Sequence, residues 1–519
     1  MIEEGNGSVA GRYAQLEAAR DAFLRRAREA GQLTIPTLVP PEGHTGSTEY
    51  DTPYQSVGSR GVNNLASKLL LTLLPPNSPF FRLVIDDYDL AQVAGKDARG
   101  AVEEALGRIE RAGLSEIEGS AVRVPVFEAL KQLVVAGNAL VYMPKKDGMK
   151  VYRLDRYVVK RDAMGNVLEI ITKESVSPLM LDEETRALLT DPEDRNTKDY
   201  DLYTCVHLKD NKWEVYQEVQ GIKIPGSYGT YPKDRSPFIP LRFSRIDGED
   251  YGRGFVEEYI GDLRSLEALT QAIVEGSAAS AKVLFLVRPN GTTKAKNLAQ
   301  SPNGAIVTGD ANDVSTLQVQ KAGDFRVALE TSRTITERLS FAFLLNSSVQ
   351  RNAERVTAEE VRYMAQELET ALGGVYSILS QEFQMPLVNL ILARLEGQGK
   401  MPKMPKDSVK PTIVTGMEAL GRGQDLNKLA QFLQYLQPLG PEVIAQEMNI
   451  DDYIDRLGAS LGIDTNGLIK SPEQKQQEQA AMAEQQQMMM AQQMMGDIAS
   501  KATPETVKAI SGAAQQAQE

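Results

Sequence analysis

Residues 255–282 read FVEEYIGDLRSLEALTQAIVEGSAASAK, and their apolar residues recur at the three-and-four spacing of one helix face. Ile260, Leu263, Leu266 and Ile273 occupy this face. The pattern predicts a helix of about 26 residues, or roughly 39 Å. Helical spacing returns over residues 325–345.

A short segment with strand and turn patterns separates these two helices. It contains VLFLVRPNGTTKAKNL, which starts at residue 283, and GAIVTGDANDVSTLQVQ, which starts at residue 304. Both runs predict short strands, with turns at Asn290-Gly291 and Asn303-Gly304. The sequence therefore predicts a helix, a small β insert and a second helix.

The first half of the chain has the pattern of a mixed α+β fold. Helical and strand patterns alternate, and residues from Tyr152 to Phe243 are rich in β-branched and aromatic types between turn signals. The predicted elements are helices at 12–30 and 59–74, a strand at FFRLVI, two helices within 100–142, a hairpin around Asp147-Gly148, and turns at Gly165-Asn166, Asp210-Asn211 and Gly226.

A long helix is predicted after the second helix of this pair. Thr357 and Glu360 form a capping box directly before an apolar run, which marks a helix start. Apolar residues continue at helical spacing to Leu395, a length of roughly 60 Å. Gly373-Gly374 and Pro386 are expected to bend this helix.

The C-terminal part is polar and repetitive. Prolines between residues 400 and 411 predict a linker, and two helices are predicted within 420–460. The 49 residues from Ser471 onward contain twelve Gln, six Met and no aromatic residue. This composition builds no globular core of its own and is compatible both with helix and with helix plus disorder.

Composition excludes several classes of protein. A chain of 519 residues has room for about three domains. Acidic residues outnumber basic ones by 70 to 57, a net charge of -13, which argues against tight coating of DNA. The single cysteine, Cys205, and the polar N-terminus favour a reducing cytoplasm, and the sequence predicts no membrane-spanning run.

Signatures of catalysis are weak. His44 and His207 are the only histidines, so metal sites of the Cys and His type lack ligands, and no phosphate-binding loop occurs. Carboxylate clusters at Asp86-Asp87, Asp247 to Asp250 and Asp451-Asp452 are compatible with Mg²⁺ or acid-base work, but solvated loops explain them more simply. We expect no enzyme, metal or cofactor. A DNA-acting hydrolase or nuclease that uses these clusters is the alternative.

Basic residues concentrate in the predicted insert. Between residues 282 and 326 the net charge is +3 in an acidic chain, which fits either a solvated hairpin face or a surface that meets DNA or an acidic partner. Gln350, Arg351 and Arg355 form a second polar and basic piece between two helices, where a gate is often placed. Pairing of the two arginines with Glu354 or Glu359 is the structural alternative.

Four long runs resemble one protein family. They are YDTPYQSVGSRGVNNLASKLLLTLLPP, VFEALKQLVVAGNALVY, IPLRFSRIDGEDYGRGFVEEYIGDLRSLEALTQAIVEGS and RVTAEEVRYMAQELETALGGVYSILSQEFQMPL, and GIDTNGLI adds a shorter one. Together they resemble the portal, or head-to-tail connector, proteins of short-tailed bacteriophages of the autographivirus type. The resemblance covers roughly residues 10–470 in order.

The resemblance implies a mainly helical α+β subunit of portal type, with a wing, a two-helix stem, a small α/β clip and a helical crown. Such subunits assemble into a ring, typically of twelve, with a central channel. The implied segments are the wing at 1–256 and 357–435, stem helices at 257–282 and 325–345, the clip at 283–324, a channel loop or valve at 346–356, the crown at 436–470 and a Gln/Met-rich tail at 471–519.

The implied function is a channel at one capsid vertex through which double-stranded DNA is packaged and ejected. The ring would be a docking platform for the terminase and then for a tail adaptor protein. Scaffold, major capsid protein and internal core proteins are further implied partners. The implied location is the virion, with assembly in the host cytoplasm.

The resemblance also implies two sets of site residues. Partner docking at the clip would use Arg288, Lys294, Lys296 and Lys321, and the channel valve would use Asn346, Gln350, Arg351 and Arg355. A ring of arginines could hold DNA phosphates transiently, while the acidic wall keeps the remaining DNA mobile.

Overall fold

In a computed structural model, the protein forms two compact units, Met1–Gln424 and Asp425–Glu519. The described residues are 7–76, 79–85, 99–146, 148–189, 199–280, 284–317, 322–345, 367–368, 370–372, 374–401, 409–413, 429–440, 444, 448, 450, 453–454, 457–458, 474, 481–482, 485 and 488–490.

A six-stranded antiparallel sheet forms one layer of the first unit. Its strands are β4 (Tyr157–Arg161), β5 (Val167–Val176), β6 (Tyr200–Lys209), β7 (Lys212–Val219), β8 (Ile222–Lys223) and β9 (Gly229–Pro232), in the order β4-β5-β6-β7-β8 with β9 also paired to β7. Asp210 and Asn211 join β6 to β7 with φ of 48° and 62°, the left-handed values that a tight two-residue hairpin needs. The predicted strand-rich region and this turn are confirmed.

Helix α1 (Val9–Gln32) covers one face of the sheet. The hydroxyl of Ser8 caps the helix by accepting the N–H of Gly11 at 3.1 Å. Val9, Tyr13 and Leu16 are buried against Val158, Ile171, Cys205 and Tyr216. Alternate residues of the same strands, such as Ile170 and Val206, enter the main core on the opposite face.

In the main core, helices pack around a three-stranded sheet. The helices are α2 (Val57–Leu73), α3 (Arg99–Gly119) and α4 (Arg123–Ala136), and the strands are β2 (Asn138–Tyr142), β3 (Lys150–Tyr152) and β10 (Phe238–Arg242), in the order β10-β2-β3. The central strand β2 is almost wholly buried. These elements confirm the predicted helices in 59–74 and 100–142 and the predicted hairpin.

Two long helices extend from this core. Helix α5 (Glu183–Leu188) lies between β5 and β6 in the chain, and the short helix α6 (Phe255–Glu258) follows β10. After α6, α7 (Ile260–Ser280) packs along α9 (Ala322–Ala342). Asp262 pairs with Arg338 at 2.9 Å near one end, and Gly276 faces Phe325 toward the other, so the helices run antiparallel. We call α7 and α9 the helix pair. Leu263 and Leu339 are fully buried at its base.

The segment that joins the far ends of the helix pair differs in part from prediction. We call residues 284–317 the tip insert. Its strands β11 (Leu284–Val287) and β12 (Val314–Leu317) pair with each other, but Ala295–Gln300 forms the short helix α8 and residues 305–308 form no strand. The run AKNLAQ lacks β-branched residues and contains good helix formers, which explains the helix.

The predicted long helix is irregular where it is described. Helix α10 (Val375–Leu379) continues through a π-helical turn at Ser380–Gln384 into α11 (Met385–Gly397). The π-turn ends two residues before Pro386, which lacks an amide donor and accounts for the irregular hydrogen bonding. The bend at this residue stays a prediction. The predicted start at Thr357 and Glu360 lies outside the described residues.

The predicted proline linker contains a strand. Strand β13 (Val409–Ile413) pairs antiparallel with β1 (Phe81–Ile85), the predicted FFRLVI strand. Pro411 lies opposite Leu83, whose amide donates to Glu110 Oε1 at 2.8 Å instead of to β13. The linker prediction was wrong over residues 409–411, because a proline is tolerated in an edge strand at a position that needs no amide donor. Residues 402–408 of the predicted linker lie outside the described residues.

The second unit is helical where it is described. Residues 429–436 form a helix that ends in the 3₁₀ turn Gln437–Leu439, and the Tyr453 hydroxyl donates to the carbonyl of Leu429 at 3.3 Å. The described residues of the Gln/Met-rich segment are helical as well. Across the described parts of both units, no helix is long and apolar enough to cross a bilayer.

Candidate partner-docking surface at the tip insert

A buried carboxylate organises the tip insert. Asp313 accepts hydrogen bonds from the Thr293 amide at 3.1 Å and the Thr292 hydroxyl at 3.2 Å, and its carbonyl accepts the Arg288 amide at 2.9 Å. The hydrogen bond from the Thr293 backbone amide is the main reason why the pKa of Asp313 is lowered. A Cβ on Gly291 would lie 2.4 Å from this carboxyl group, so the loop wraps closely around it.

Three of the predicted docking residues project from this frame. Arg288, Lys294 and Lys296 are exposed, and within the described residues none of them forms an ion pair. Asp313 accepts hydrogen bonds from the loop's own donors and also attracts the positive charge of Arg288, so Lys294 and Lys296 are the charges that a partner could meet. Lys321 lies outside the described residues.

Apolar side chains accompany the basic ones, and the sequence prediction did not include them. Phe285, Leu286 and Ile306 are 61%, 53% and 102% exposed. Phe285 and Leu286 are neighbours in β11 and therefore lie on opposite faces of the strand pair. A two-stranded sheet that exposes both of its faces to water has only marginal stability by itself. The apolar run VLFLV was the available signal.

The helix pair continues this apolar exposure. Val274, Val327, Leu329 and Phe341 are all exposed, with Phe341 76% accessible. Single exposed apolar residues are ordinary, and these four are candidate contact positions and not one continuous patch. The same helices bury Leu266 and Ile335 at their base. One end of the helix pair is thus anchored in the core while its length offers apolar side chains to a neighbour.

The candidate catalytic residues have structural partners. His207 lies opposite Glu214 on β7, with 3.3 Å between its Nε2 and the carboxylate, and burial raises the pKa of Cys205 to about 12. Asp250 accepts from Lys160 Nζ at 2.9 Å and from the Arg161 amide at 2.7 Å. Within the described residues, no group of three or more His, Cys, Asp or Glu side chains could hold a metal ion.

Several predicted site residues lie outside the described residues. They are the valve residues Asn346, Gln350, Arg351 and Arg355 and the carboxylate pairs Asp86-Asp87 and Asp451-Asp452. His44 is described, and its Nε2 lies 3.3 Å from Arg153 Nη2.

Comparisons with known proteins match nearly the whole chain. The family model of the bacteriophage head to tail connecting protein matches residues 6–469. The portal protein of Escherichia phage T7 is 46% identical over 486 residues, which cover 92% of this chain and 90% of the relative. The portal protein of Enterobacteria phage T3 is 47% identical over 481 residues, with 91% and 90% covered.

Solved structures align less closely. The virion of a native gene transfer agent particle covers 83% of this chain and 95% of the matched chain, with 10% identity and a TM-score of 0.36. This similarity is too low to support an assignment. The portal protein of Enterobacteria phage SP6, in contrast, is 32% identical with 88% of both chains covered. The family match and these relatives show that the chain belongs to the bacteriophage head-to-tail connecting proteins, the portal proteins.

Proposed function

We propose that this portal protein assembles into a ring, typically of twelve subunits, around a channel at one capsid vertex. Double-stranded DNA would enter and leave through this channel. The terminase, and later a tail adaptor protein, would dock at the end of the ring formed by the tip inserts. Scaffold, major capsid and internal core proteins are the other proposed partners, and assembly would take place in the host cytoplasm.

The exposed apolar side chains of the helix pair carry this proposal. Val274, Val327, Leu329 and Phe341 lie on helices that project from the core, where the subunit itself does not cover them. Repetition of the subunit around an axis would place each helix pair beside the next and remove these side chains from water. We therefore assign the stem to residues 257–282 and 325–345 and the clip to 283–324.

Contacts between distant parts of the chain support a single wing. Strand β13 completes a sheet with β1, and Arg242 of β10 binds Glu382 of the π-turn. Residues from the two proposed wing segments, 1–256 and 357–435, therefore share one core. The crown at 436–470, the tail at 471–519 and the valve at 346–356 remain proposals on the resemblance alone.

The acidic balance suits a conduit for a polyanion. Twelve chains of net charge -13 carry about -156 in total. Physiological salt screens charges beyond about 8 Å, so this repulsion acts on DNA only near the wall. The proposed valve residues, Arg351 and Arg355, would be local positive exceptions that hold phosphates transiently.

We expect the purified chain to form particles of about 684 kDa, twelve times the subunit mass of 57.0 kDa. Phe341→Ser should raise the subunit concentration needed for half assembly about tenfold, because the proposed ring would bury this exposed side chain. Light scattering across a dilution series measures both. Met180→Ser, at a side chain 81% exposed outside the helix pair, is the matched control. A stable 57 kDa species of the unmodified chain at micromolar concentration would refute the ring.

Reversing two charges of the tip insert is expected to weaken partner docking without affecting ring formation. Lys294→Glu combined with Lys296→Glu changes exposed side chains that support no described contact. Each exposed pair contributes under ~1 kcal/mol, so the double variant is needed for a measurable loss of terminase or tail binding. Packaging and tail attachment in infected cells are the measurements. The control reverses Lys146 and Lys233, which are exposed on the first unit's core region. Equal binding by both double variants would remove the electrostatic role of the tip insert.

A further inference from the structure

Helix α9 ends in an unusual turn. Leu344 has a φ of +55°, a left-handed conformation normally taken by glycine at a helix end. The Leu345 amide donates to the carbonyl of Ser340 at 2.8 Å, which closes the turn. A leucine in this conformation costs about 1 kcal/mol, so the surrounding contacts must hold it.

Two side chains of α2 supply these contacts. The Asn64 amide donates to the carbonyls of Phe343 and Leu344 at 2.9 and 3.0 Å, and Lys68 Nζ lies 3.3 Å from the Leu344 carbonyl. A positive charge at a helix C-terminus is favourable because the last carbonyls carry partial negative charge. Gly61, one turn earlier, allows the close approach, since a Cβ there would lie 2.5 Å from the Phe343 ring.

Lys68 also reaches a second part of the chain. Its Nζ lies 2.9 Å from Glu367 Oε2, and the lysine side chain is only 6% exposed. Glu367 precedes the helical residues 370–372 and the helix α10. One buried ammonium group therefore joins the end of the helix pair to the chain that leads into the C-terminal helices of the first unit.

We infer that Asn64 and Lys68 are positioning residues that hold the left-handed end of α9 and couple the helix pair to α10 through Glu367. Through this coupling, a displacement of the helix pair would shift α10, and a displacement of α10 would shift the helix pair. Its consequence for DNA rests on the proposed channel function. The coupling itself is a property of the folded chain and can be measured without DNA.

Hydrogen exchange of the full-length assembled protein tests the coupling. In Lys68→Met we expect the amides of Leu344 and Leu345, and those of Val375–Leu379, to exchange about tenfold faster, with α4 unchanged. Lys68→Arg keeps a charged donor and should restore slow exchange in both regions. Exchange within about twofold of the unmodified protein in Lys68→Met would overturn the inference.

Two further variants separate the turn from the coupling. Leu344→Gly in the Lys68→Met background should restore slow exchange at Leu345, because glycine adopts the left-handed turn without strain, but not at Val375–Leu379. Glu367→Gln should speed exchange at Val375–Leu379 alone. If Lys68→Met affects only Leu344 and Leu345, the lysine is a local cap and the coupling is refuted.

DNA retention gives the functional measurement. Heads assembled with Lys68→Met should lose packaged DNA faster before tail attachment, and Lys68→Arg should behave as the unmodified protein. Ring mass is measured on the same samples. Absence of rings from the unmodified chain would count against the proposed channel, whereas intact rings with unchanged exchange in Lys68→Met would count against the coupling alone.

Discussion

Gly254→Ala is expected to destabilise the first unit by about 3 kcal/mol or more. A Cβ at this position would lie 2.4 Å from the Val135 carbonyl oxygen and 3.0 Å from the Gly137 amide nitrogen. Gly254 itself has a φ of -79°, which alanine adopts easily, so lack of space and not backbone strain decides the outcome. The obstructing atoms belong to the backbone at the end of α4, and no side-chain rotation can move them.

The surrounding contacts show that the backbone around Gly254 cannot move away from the end of α4 without a large loss of stability. Gly137 has a φ of +73°, and a Cβ there would lie 2.4 Å from the Arg253 carbonyl carbon. The Asn138 side chain exchanges two hydrogen bonds with the backbone of Gly252, both at 2.8 Å. Overpacking of a core usually costs 1–3 kcal/mol, and rigid backbone on both sides places Gly254→Ala at about 3 kcal/mol or more. That loss is a large share of a typical domain's stability.

Soluble yield and the thermal midpoint at one fixed subunit concentration measure this effect. Gly261→Ala is the matched control, because Gly261 lies seven residues away in α7 with nothing within 4 Å of its Cβ position. That substitution should raise stability by up to about 1 kcal/mol, since alanine favours a helix over glycine. A Gly254→Ala protein whose midpoint stays within about 2 °C of the unmodified chain would contradict the steric argument.

Local patterns predicted most elements of the fold because their causes lie within a few residues. Helical spacing is set by neighbours three and four positions apart, which is why α2, α4 and the helix pair were recognisable. The hairpin turn at Asp210 and Asn211 likewise needs only two residues that tolerate positive φ. The close packing at Gly254 could not be predicted in this way, because its partner is α4, more than a hundred residues earlier.

The pairing of strands that are far apart in the chain could not be predicted from local sequence patterns. Strand β13 exists because β1, over three hundred residues away, offers it an edge, and the proline in it had suggested a linker. The candidate docking residues Arg288, Lys294 and Lys296 are exposed, as their charge leads one to expect, while their role in docking stays a prediction. Lys68 gave a weak signal, a charged residue within the apolar run that became α2, but its partners Leu344 and Glu367 could not be identified from spacing.

Glu382→Gln is expected to destabilise the first unit by about 3 kcal/mol, because it removes the counter-charge of two buried arginines. Arg242 is 3% exposed and binds Glu382 through its guanidinium and its backbone amide, the latter at 3.2 Å. Arg161 is 4% exposed and lies 3.9 Å from the same carboxylate. Burial lowers the pKa of Arg161 to about 10, and Glu382 opposes that shift.

The position of Glu382 makes its contact with Arg242 important for the fold as well as for charge balance. Glu382 lies in the π-turn Ser380–Gln384, so its bonds to β10 fix the irregular helix against the three-stranded sheet. Gln384 in the same turn donates to the Leu73 carbonyl at 2.7 Å. A neutral amide in place of the carboxylate would turn a donor toward Arg242 and remove the carboxylate partner of that arginine. Arg161 would keep Asp250 but lose one of the two carboxylates that stabilise its charge in a region of low dielectric constant.

The comparison that isolates burial uses a second glutamate of the same helical segment. Glu396 binds Arg235 at 2.9 Å, but that arginine is 42% exposed. Glu396→Gln should therefore cost under ~1 kcal/mol, although the chemical change is the same. Thermal midpoints of both variants, measured at equal subunit concentration, give the comparison. If Glu382→Gln lost as little stability as Glu396→Gln, other groups would compensate the charges of Arg161 and Arg242, and the π-turn would not depend on the charge of Glu382.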